Sequence, residues 1–231
     1  EWSRHLDNGF LQKWALPDVP AQQNFYNDNI RTHLAKSDRK RAFVIVSDAF
    51  RYEAAQELTE VVNGRYRMNA ELSTMLGVLP SYTDLGMASL LPHKTLAYND
   101  KGEVLVDGRS ASGTKSRNTQ LETVQGMACQ ADVLRKMKSD EAREFTKDKK
   151  VVYIYHNVVD ARGDSALTEG ETFEAVNDCI AELADLVRLC INRLSASKVW
   201  LTADHGFLFQ QEAPGATDRS GLHDKPAQAV K

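Results

Sequence analysis

The chain has 231 residues, of which 42% are hydrophobic and 26% are charged, and its formal net charge at pH 7 is −3. These values predict one globular domain with a sizeable buried core, with room for at most a small additional segment. They exclude a domain that is basic over its whole surface, as many nucleic-acid-binding domains are. No apolar run approaches the roughly 20 residues that cross a bilayer, so no membrane is expected among the partners.

Lysine and arginine cluster locally at residues 38–41 and 147–150. Both clusters come just before a predicted strand, where a solvated turn is the favoured interpretation and a local basic groove is the alternative. The three cysteines are Cys129, Cys179 and Cys190, without CxxC spacing. Such a sparse, odd set predicts free thiols in a reducing cytoplasm and argues against a thiolate zinc site.

Residues 1–36 have an amphipathic helical pattern that Pro17 and Pro20 interrupt. We expect this segment to be a linker or the end of a preceding domain, and residues 37–231 to form the main domain. The chain has no starting methionine and no signal peptide, so we expect a piece of a longer protein, truncated at its C-terminus.

The main domain begins with a continuous apolar run at 42–46, which predicts a strand buried on both faces, as in parallel sheets. A helix is predicted from about 50 to 62, ending at the Asn63-Gly64 pair, which is a common helix C-cap. Residues 65–79 are predicted to form one or two strands. A short buried helix is expected at 85–91.

The middle of the chain contains one clear turn signal, Asn99-Asp-Lys-Gly102, between two short apolar runs. It predicts a hairpin over residues 96–107. Residues 108–120 are rich in Ser, Gly, Thr and Arg and are interpreted as a surface loop. A helix is predicted near 127–139.

The second half repeats a strand and helix pattern. Strands are predicted at 151–155 and 198–202, with a long helix at 171–194 whose apolar residues recur every three or four positions. Strands alternating with helices predict an α/β fold with a mostly parallel central sheet flanked by helices.

Acidic and histidine residues follow three of the predicted strands. Asp48 follows the first strand, Asp160 and Asp164 follow the second, and Asp204-His205 follow the third. The carboxyl ends of parallel strands meet at one edge of the sheet, so these side chains are expected to converge there. Carboxylate oxygens and imidazole suit zinc, manganese or magnesium. For Asp48, a helix N-cap is the competing interpretation.

Four segments in order resemble the PglZ-domain proteins of bacterial BREX phage-defence systems, within the alkaline phosphatase superfamily. Thr202-Ala-Asp-His-Gly206 resembles the superfamily's T-x-D-H-G signature. The PglZ-like segments are Ser47-Asp-Ala-Phe-Arg-Tyr-Glu53, Pro80-Ser-Tyr-Thr-Asp-Leu-Gly-Met-Ala-Ser-Leu-Leu-Pro-His93 and Tyr155-His-Asn-Val-Val-Asp-Ala-Arg-Gly-Asp164. The resemblance implies an alkaline-phosphatase-like α/β fold and a metal-dependent hydrolase.

The resemblance also implies residue roles. One metal ion would be held by Asp48, Thr83, Asp204 and His205, with Thr83 as the catalytic nucleophile. A second ion would take Asp160, Asp164 and a later histidine, for which His223 is the candidate unless the ligand lies beyond Lys231. Zinc is the expected ion, and Asp164, standing where the superfamily has histidine, favours manganese or magnesium at the second position.

Two arginines complete the predicted site. Arg51 and Arg162 are candidates for binding substrate phosphate, with surface ion pairs as the alternative. His156 is interpreted as a structural histidine rather than a ligand. For Thr83, a simple N-cap role is the competing interpretation.

Three functions remain in view. The first is a phosphohydrolase that cleaves phosphomonoesters or phosphodiesters, including nucleotides or nucleic acid, through a phosphothreonine intermediate. The second is a metal-dependent nuclease or phosphodiesterase. The third is a scaffold in a multi-protein phage-defence complex, favoured by Asp164 and by Gly86, which stands where relatives have a phosphate-binding Asn. Other phage-defence proteins are the expected partners.

Overall fold

The computed structural model describes residues 14–66, 68–159 and 172–206. Its centre is a four-stranded, fully parallel sheet in the order β5-β6-β1-β7. Every residue of β1 and β6 is buried, as their apolar sequences predicted. The strands of this sheet are β1 (Ala42–Ser47), β5 (Gly126–Gln130), β6 (Val151–His156) and β7 (Val199–Thr202).

A second, antiparallel sheet of three short strands packs beside the first. Its strands are β2 (Leu96–Tyr98), β3 (Val104–Val106) and β4 (Arg109–Ser110), in the order β2-β3-β4. The hairpin predicted over 96–107 is confirmed, with Tyr98 opposite Val104. The asparagine of its turn accepts hydrogen bonds from the backbone N–H groups of residues 101 and 103.

Helices cover both faces of the parallel sheet, so the predicted α/β fold class is confirmed. Alternate residues of β1 divide the core, with Phe43 and Ile45 on one face and Val44 and Val46 on the other. The first face is covered by α1 and α6, and the second by α2, the small sheet and the segment around Tyr26. The helices are α1 (Tyr52–Tyr66), α2 (Thr83–Ser89), α3 (Gly113–Glu122), α4 (Ala131–Lys136), α5 (Ser139–Thr146) and α6 (Thr172–Asn192).

The end predicted for the first helix is wrong, because α1 continues through Asn63 and Gly64 to Tyr66. The Asn63 side chain instead binds the returning chain: its Nδ2 donates to the Ala70 carbonyl at 3.0 Å, and its Oδ1 accepts from the Ala70 N–H at 2.7 Å. The strands predicted at 65–79 are also wrong. Within the described part of that range, Leu76 forms only an isolated bridge to Ala21.

The loop predicted over residues 108–120 is wrong, and the helix predicted near 127–139 is confirmed only over α4 (Ala131–Lys136). The range 108–120 contains β4 and most of α3 rather than a loop. Polar side chains of α3 are buried and hydrogen-bonded: Arg117 Nε donates to the Ala111 carbonyl at 3.1 Å, and Gln120 Nε2 donates to the Val106 carbonyl at 2.5 Å. The range 127–139 begins with strand β5 instead of a helix. The sequence did not indicate this strand because a short apolar run does not distinguish a strand from a helix.

The segment before β1 packs on the domain. Short helical turns at Gln22–Asn24, Tyr26–Arg31 and Thr32–Leu34 bury Ile30 completely. His33 contacts the ring of Trp200, with 4.9 Å between ring centroids. The boundary near residue 36 stays a prediction.

Two further observations concern the chain's environment. All three cysteines are buried thiols. Among the described helices, none is long and apolar enough to cross a membrane.

Candidate metal centre

The carboxyl ends of β1 and β7 lie side by side, since Val46 is paired with Thr202. Asp48 directly follows β1, and its backbone N–H donates to the His156 carbonyl at 2.8 Å, which extends the parallel ladder by one residue. Asp204 and His205 follow β7 after one intervening alanine. The sheet therefore brings these residues together as predicted, and Asp48 lies four residues before the first residue of α1 rather than capping it.

Helix α2 brings Thr83 to the same edge. Gly86 faces the backbone of Asp204, and a Cβ built at residue 86 would lie 2.8 Å from the Asp204 carbonyl carbon. Only a glycine permits this approach without displacement, because real Cβ atoms almost never come so close. The presence of Gly86, where the resemblance implies a phosphate-binding Asn, therefore has a structural explanation. This chain has no room for a larger side chain at that position.

Thr83 is the first residue of α2, and the N-cap position belongs to Tyr82. The competing N-cap interpretation of Thr83 is therefore wrong. Its hydroxyl lies 3.0 Å from Nε2 of His205. The same Nε2 is 3.5 Å from Oδ1 of Asp48 and 3.4 Å from Oδ2 of Asp204. Four of the predicted site residues thus surround one point, and the ligand atoms of the two carboxylates and the imidazole lie within 4.8 Å of one another.

The His205 ring makes a hydrogen bond through Nδ1, on the side away from the cluster. This bond bears on the role of Nε2, which faces the cluster. Nδ1 lies 2.8 Å from the Gly206 carbonyl, which can only accept a hydrogen bond. Nδ1 is therefore the donor to that carbonyl, which leaves Nε2 as the ring nitrogen that faces Thr83 and the two carboxylates. A histidine that donates one N–H to a backbone carbonyl and offers the other nitrogen is the usual arrangement for a metal ligand.

The carboxylate of Asp204 is fully buried at the centre of the cluster. Its Oδ1 accepts a hydrogen bond from the Ala49 N–H at 3.2 Å, in a tight turn where Ala49 has a φ of 57°. Burial raises the pKa of Asp204, and His205 and the N–H of Ala49 offset part of that rise. Within the described part of the chain, Asp204 Oδ2 accepts no hydrogen bond, and His205 is the only basic side chain at ion-pair distance from it.

These residues fit a divalent cation. Two buried carboxylates beside each other are costly unless a positive charge compensates them. One imidazole supplies at most one positive charge for the two carboxylates, whereas a divalent cation bound by both carboxylates, Nε2 and the Thr83 oxygen would supply two. Oxygen and imidazole ligands are accepted by zinc, manganese and magnesium to different degrees, so the ligand set alone does not select among them.

Gln22 is a supporting residue that the sequence did not reveal. Its Nε2 donates to the Asp204 carbonyl at 2.6 Å and to the Ala203 carbonyl at 3.2 Å, while its Oε1 accepts from the Val78 N–H at 3.0 Å. This buried amide joins three distant segments directly behind the cluster. A polar residue in a stretch interpreted as a linker carries no local signal of such a role.

Arg51 lies at the rim of the cluster. Its side chain forms an ion pair with Glu53, with Nε 3.2 Å from Oε2, and its Cγ lies beside Gly206. Arg51 thus makes the surface ion pair that was the alternative interpretation, and its predicted phosphate-binding role stays a prediction. Four predicted site residues lie outside the described part of the chain, namely Asp160, Arg162, Asp164 and His223.

His156 lies on the opposite face of the sheet from the cluster. It is buried against α6, with Nδ1 3.2 Å from Ser47 Oγ and Nε2 3.6 Å from Glu182 Oε2. Burial lowers the pKa of His156, and Glu182 offsets part of that shift. These contacts agree with the structural role predicted for it.

Comparison with known proteins identifies the fold family. The model of a family described as the BREX system PglZ alkaline phosphatase-like domain matches residues 25–231. The chain belongs to the PglZ family. The resemblance inferred from the four motifs is thereby confirmed.

Two curated relatives of this PglZ chain are similar along nearly all of it. The alkaline phosphatase-like protein BrxZ of Escherichia coli O9:H4 (strain HS) is 47% identical over 233 residues, which cover 100% of this chain and 27% of that protein. The alkaline phosphatase-like protein PglZ of Bacillus cereus (strain H3081.97) is 41% identical over 221 residues, covering 95% of this chain and 26% of that protein. The chain thus spans about a quarter of the length of these relatives.

Proposed function

We propose that this PglZ domain is a metal-dependent phosphohydrolase with Thr83 as its nucleophile. The observation that carries the proposal is the 3.0 Å contact between the Thr83 hydroxyl and His205 Nε2, inside the cluster of Asp48, Asp204 and His205. A threonine hydroxyl is a weak nucleophile at neutral pH and needs an adjacent base or a metal ion to activate it. The cluster supports the proposal because it places an imidazole nitrogen beside this hydroxyl and groups residues that could hold a metal ion.

In the proposed reaction, Thr83 Oγ1 attacks phosphorus in line with the ester oxygen. The bond from Oγ1 to phosphorus forms, the bond to the ester oxygen breaks, and the hydroxyl proton is transferred to the departing alcohol. Water then cleaves the phosphothreonine bond, which restores the hydroxyl and releases phosphate from a monoester substrate or a phosphomonoester from a diester substrate. Arg51, beside Gly206, is proposed to bind a phosphate oxygen by exchanging its surface ion pair with Glu53 for the substrate.

A divalent cation, when bound by Asp48, Asp204, His205 and Thr83, lowers the pKa of the hydroxyl and neutralises charge on the phosphoryl group. We propose zinc for this position. Asp160, Asp164 and His223 are proposed as ligands of a second ion, for which the oxygen-rich set favours manganese or magnesium. Arg162 is proposed to share phosphate binding with Arg51.

The substrate class is a phosphomonoester or phosphodiester, including a nucleotide or nucleic acid. We propose that the protein acts in phage defence with other BREX proteins, in the cytoplasm, where its three thiols would persist. Support for the defence role comes from the family to which the chain belongs.

The second candidate is a metal-binding scaffold with little or no catalytic activity. It is favoured by Gly86, where the backbone of Asp204 excludes the phosphate-binding side chain found in relatives. In this alternative, the metal cluster stabilises the domain while the surrounding surface binds other defence proteins.

Turnover of chromogenic phosphate esters separates the two candidates. Purified protein is supplied in turn with zinc, manganese and magnesium and assayed against a monoester and a diester. We expect turnover with at least one ion, a loss of at least about 1,000-fold in Thr83→Ala, and partial retention in Thr83→Ser. Thr119→Ala, which removes an exposed hydroxyl on α3, is the matched control and should be fully active. Absence of turnover with every ion, or equal activity of Thr83→Ala and wild type, would reject the enzyme and favour the scaffold.

A further inference from the structure

Two basic loops meet at the amino edge of the parallel sheet, the edge opposite the metal cluster. Residues 38–41 precede β1, and residues 147–150 precede β6. These strands are parallel neighbours in which Ala42 is paired with Val151, so their preceding loops emerge together. The sequence favoured a solvated turn for each of the two clusters. In the fold, the two loops lie side by side and form one surface.

Backbone and side-chain hydrogen bonds hold the two loops in a fixed arrangement. The Ala42 N–H donates to the Lys150 carbonyl at 2.8 Å, and the Lys150 N–H donates to the Gln125 carbonyl at 2.9 Å. Arg41 Nε donates to the Lys149 carbonyl at 2.9 Å, which ties one loop to the other. The Arg41 side chain is thereby held by a structural hydrogen bond. The remaining cations of both loops line a cavity.

This cavity has a volume of about 400 Å³ and is strongly cationic. Six of its lining residues are basic and two are acidic, on a protein whose overall charge is −3. The two acidic residues compensate only part of this positive charge. One of them, Asp38, is 4.0 Å from Lys150. Among the described residues, no carboxylate lies at ion-pair distance from three of these cations. The three are Arg39, Lys40 and Lys149.

The positive charge continues along the same edge beyond the cavity. Lys198 directly precedes β7, and its Nζ lies 4.9 Å from the centre of the Trp200 ring. Burial lowers the pKa of nearby His33, a hydrogen bond with the Arg41 backbone offsets part of that shift, and the charges of Lys40, Lys198 and Lys36 lower the pKa further. Loops before three of the four parallel strands therefore present cations on one edge, from β6 through β1 to β7.

We propose that this amino edge binds the phosphate backbone of nucleic acid, independently of base sequence. Repeated phosphates are the ligand that matches a row of separated cations, whereas a single small anion needs donors that converge on one point. The cavity lining consists only of Lys, Arg, Asp and Gln. Protein interfaces are usually anchored by aromatic and apolar residues, while nucleic-acid interfaces are polar and positively charged.

The inference does not rest on the proposed enzyme activity, because the two surfaces share no residue. Strand β1 has six residues between them, which at about 3.3 Å per residue separates the edges by roughly 20 Å. Nucleic acid bound at the amino edge is a ligand there and not a substrate. Binding would persist in a variant without the nucleophile.

The test is fluorescence anisotropy of a labelled mixed-sequence DNA duplex of roughly 25 base pairs, at salt concentrations from about 50 to 200 mM. The edge variant combines Arg39→Gln, Lys147→Gln and Lys149→Gln. The control variant combines Lys101→Gln, Lys115→Gln and Lys136→Gln, three exposed lysines elsewhere with the same change in charge. We expect the edge variant to bind at least about tenfold more weakly, with the slope of log K against log salt reduced by about 2 to 3.

Several outcomes would overturn the inference. Equal weakening in the edge and control variants would show attraction by overall charge alone. A loss of duplex binding in Asp204→Ala, without a loss in the edge variant, would place the ligand at the metal cluster. Edge-dependent binding of phosphatidylserine vesicles without binding of the duplex would assign the surface to a membrane. Circular dichroism and thermal unfolding of each variant show whether its fold is preserved.

Discussion

Two histidines stand at the carboxyl edge of the same sheet and differ in almost every other respect. His156 ends β6, is buried against α6, and lies within hydrogen-bond distance of Ser47. His205 follows β7 on the other face, is 14% exposed at its side chain, and directs Nε2 towards Thr83 and two carboxylates. A position at the end of a parallel strand therefore does not make a histidine a ligand. The face that each histidine occupies and the groups near its ring nitrogens distinguish the two positions.

The largest difference between the two histidines should be in metal binding. Variants His205→Ala and Asp204→Ala each remove a ligand atom and should lose at least one equivalent of bound metal, measured by mass spectrometry of the purified protein. His156→Gln should retain the wild-type metal content. Equal loss of metal in His156→Gln and His205→Ala would contradict the assignment of separate roles to the two faces.

A smaller effect is expected from filling the space between α2 and β7. Gly86→Ala places a Cβ against the Asp204 backbone and should reduce the free energy of unfolding by about 1–3 kcal/mol, and also weaken metal binding. Gly64→Ala is the matched control, because no atom lies within 4 Å of a Cβ at this helical position. Its stability should be unchanged or up to about 1 kcal/mol higher. Chemical denaturation measures both, and similar stabilities for the two variants would contradict the close packing.

The smallest effect is expected from a substitution on the face of the sheet opposite the metal cluster, where His156 is buried. His156→Gln disturbs the contacts with Ser47 and Glu182 and should reduce the free energy of unfolding by about 1–2 kcal/mol without changing metal affinity. Denaturation in the presence and absence of added metal gives both quantities. A change in metal affinity would show that the two faces are coupled through the Asp48 backbone, which donates to the His156 carbonyl.

Much of the parallel sheet could be predicted from the sequence, because β1 and β6 are continuous apolar runs and α6 has a regular apolar stripe. Asp48, Thr83, Asp204 and His205 could be predicted through their motifs, and the parallel arrangement explains why they meet. Helix α3 was missed because its buried polar residues are satisfied by backbone carbonyls, so its burial leaves no apolar pattern. Gln22 was missed because its role depends on contacts with residues far away along the chain, which leave no local pattern in the sequence.

The hydrogen bond from Gln22 to the carbonyl of Asp204 spans 182 positions of sequence. On the ribosome, the early segment emerges long before its partner, and neither Asp48 nor Thr83 can complete the cluster until residues 204 and 205 have left the exit tunnel. Contacts of such long range form late in folding. A nascent chain that stalls before β7 would therefore carry only two of the four clustered residues, so the proposed metal site can form only after β7 has emerged.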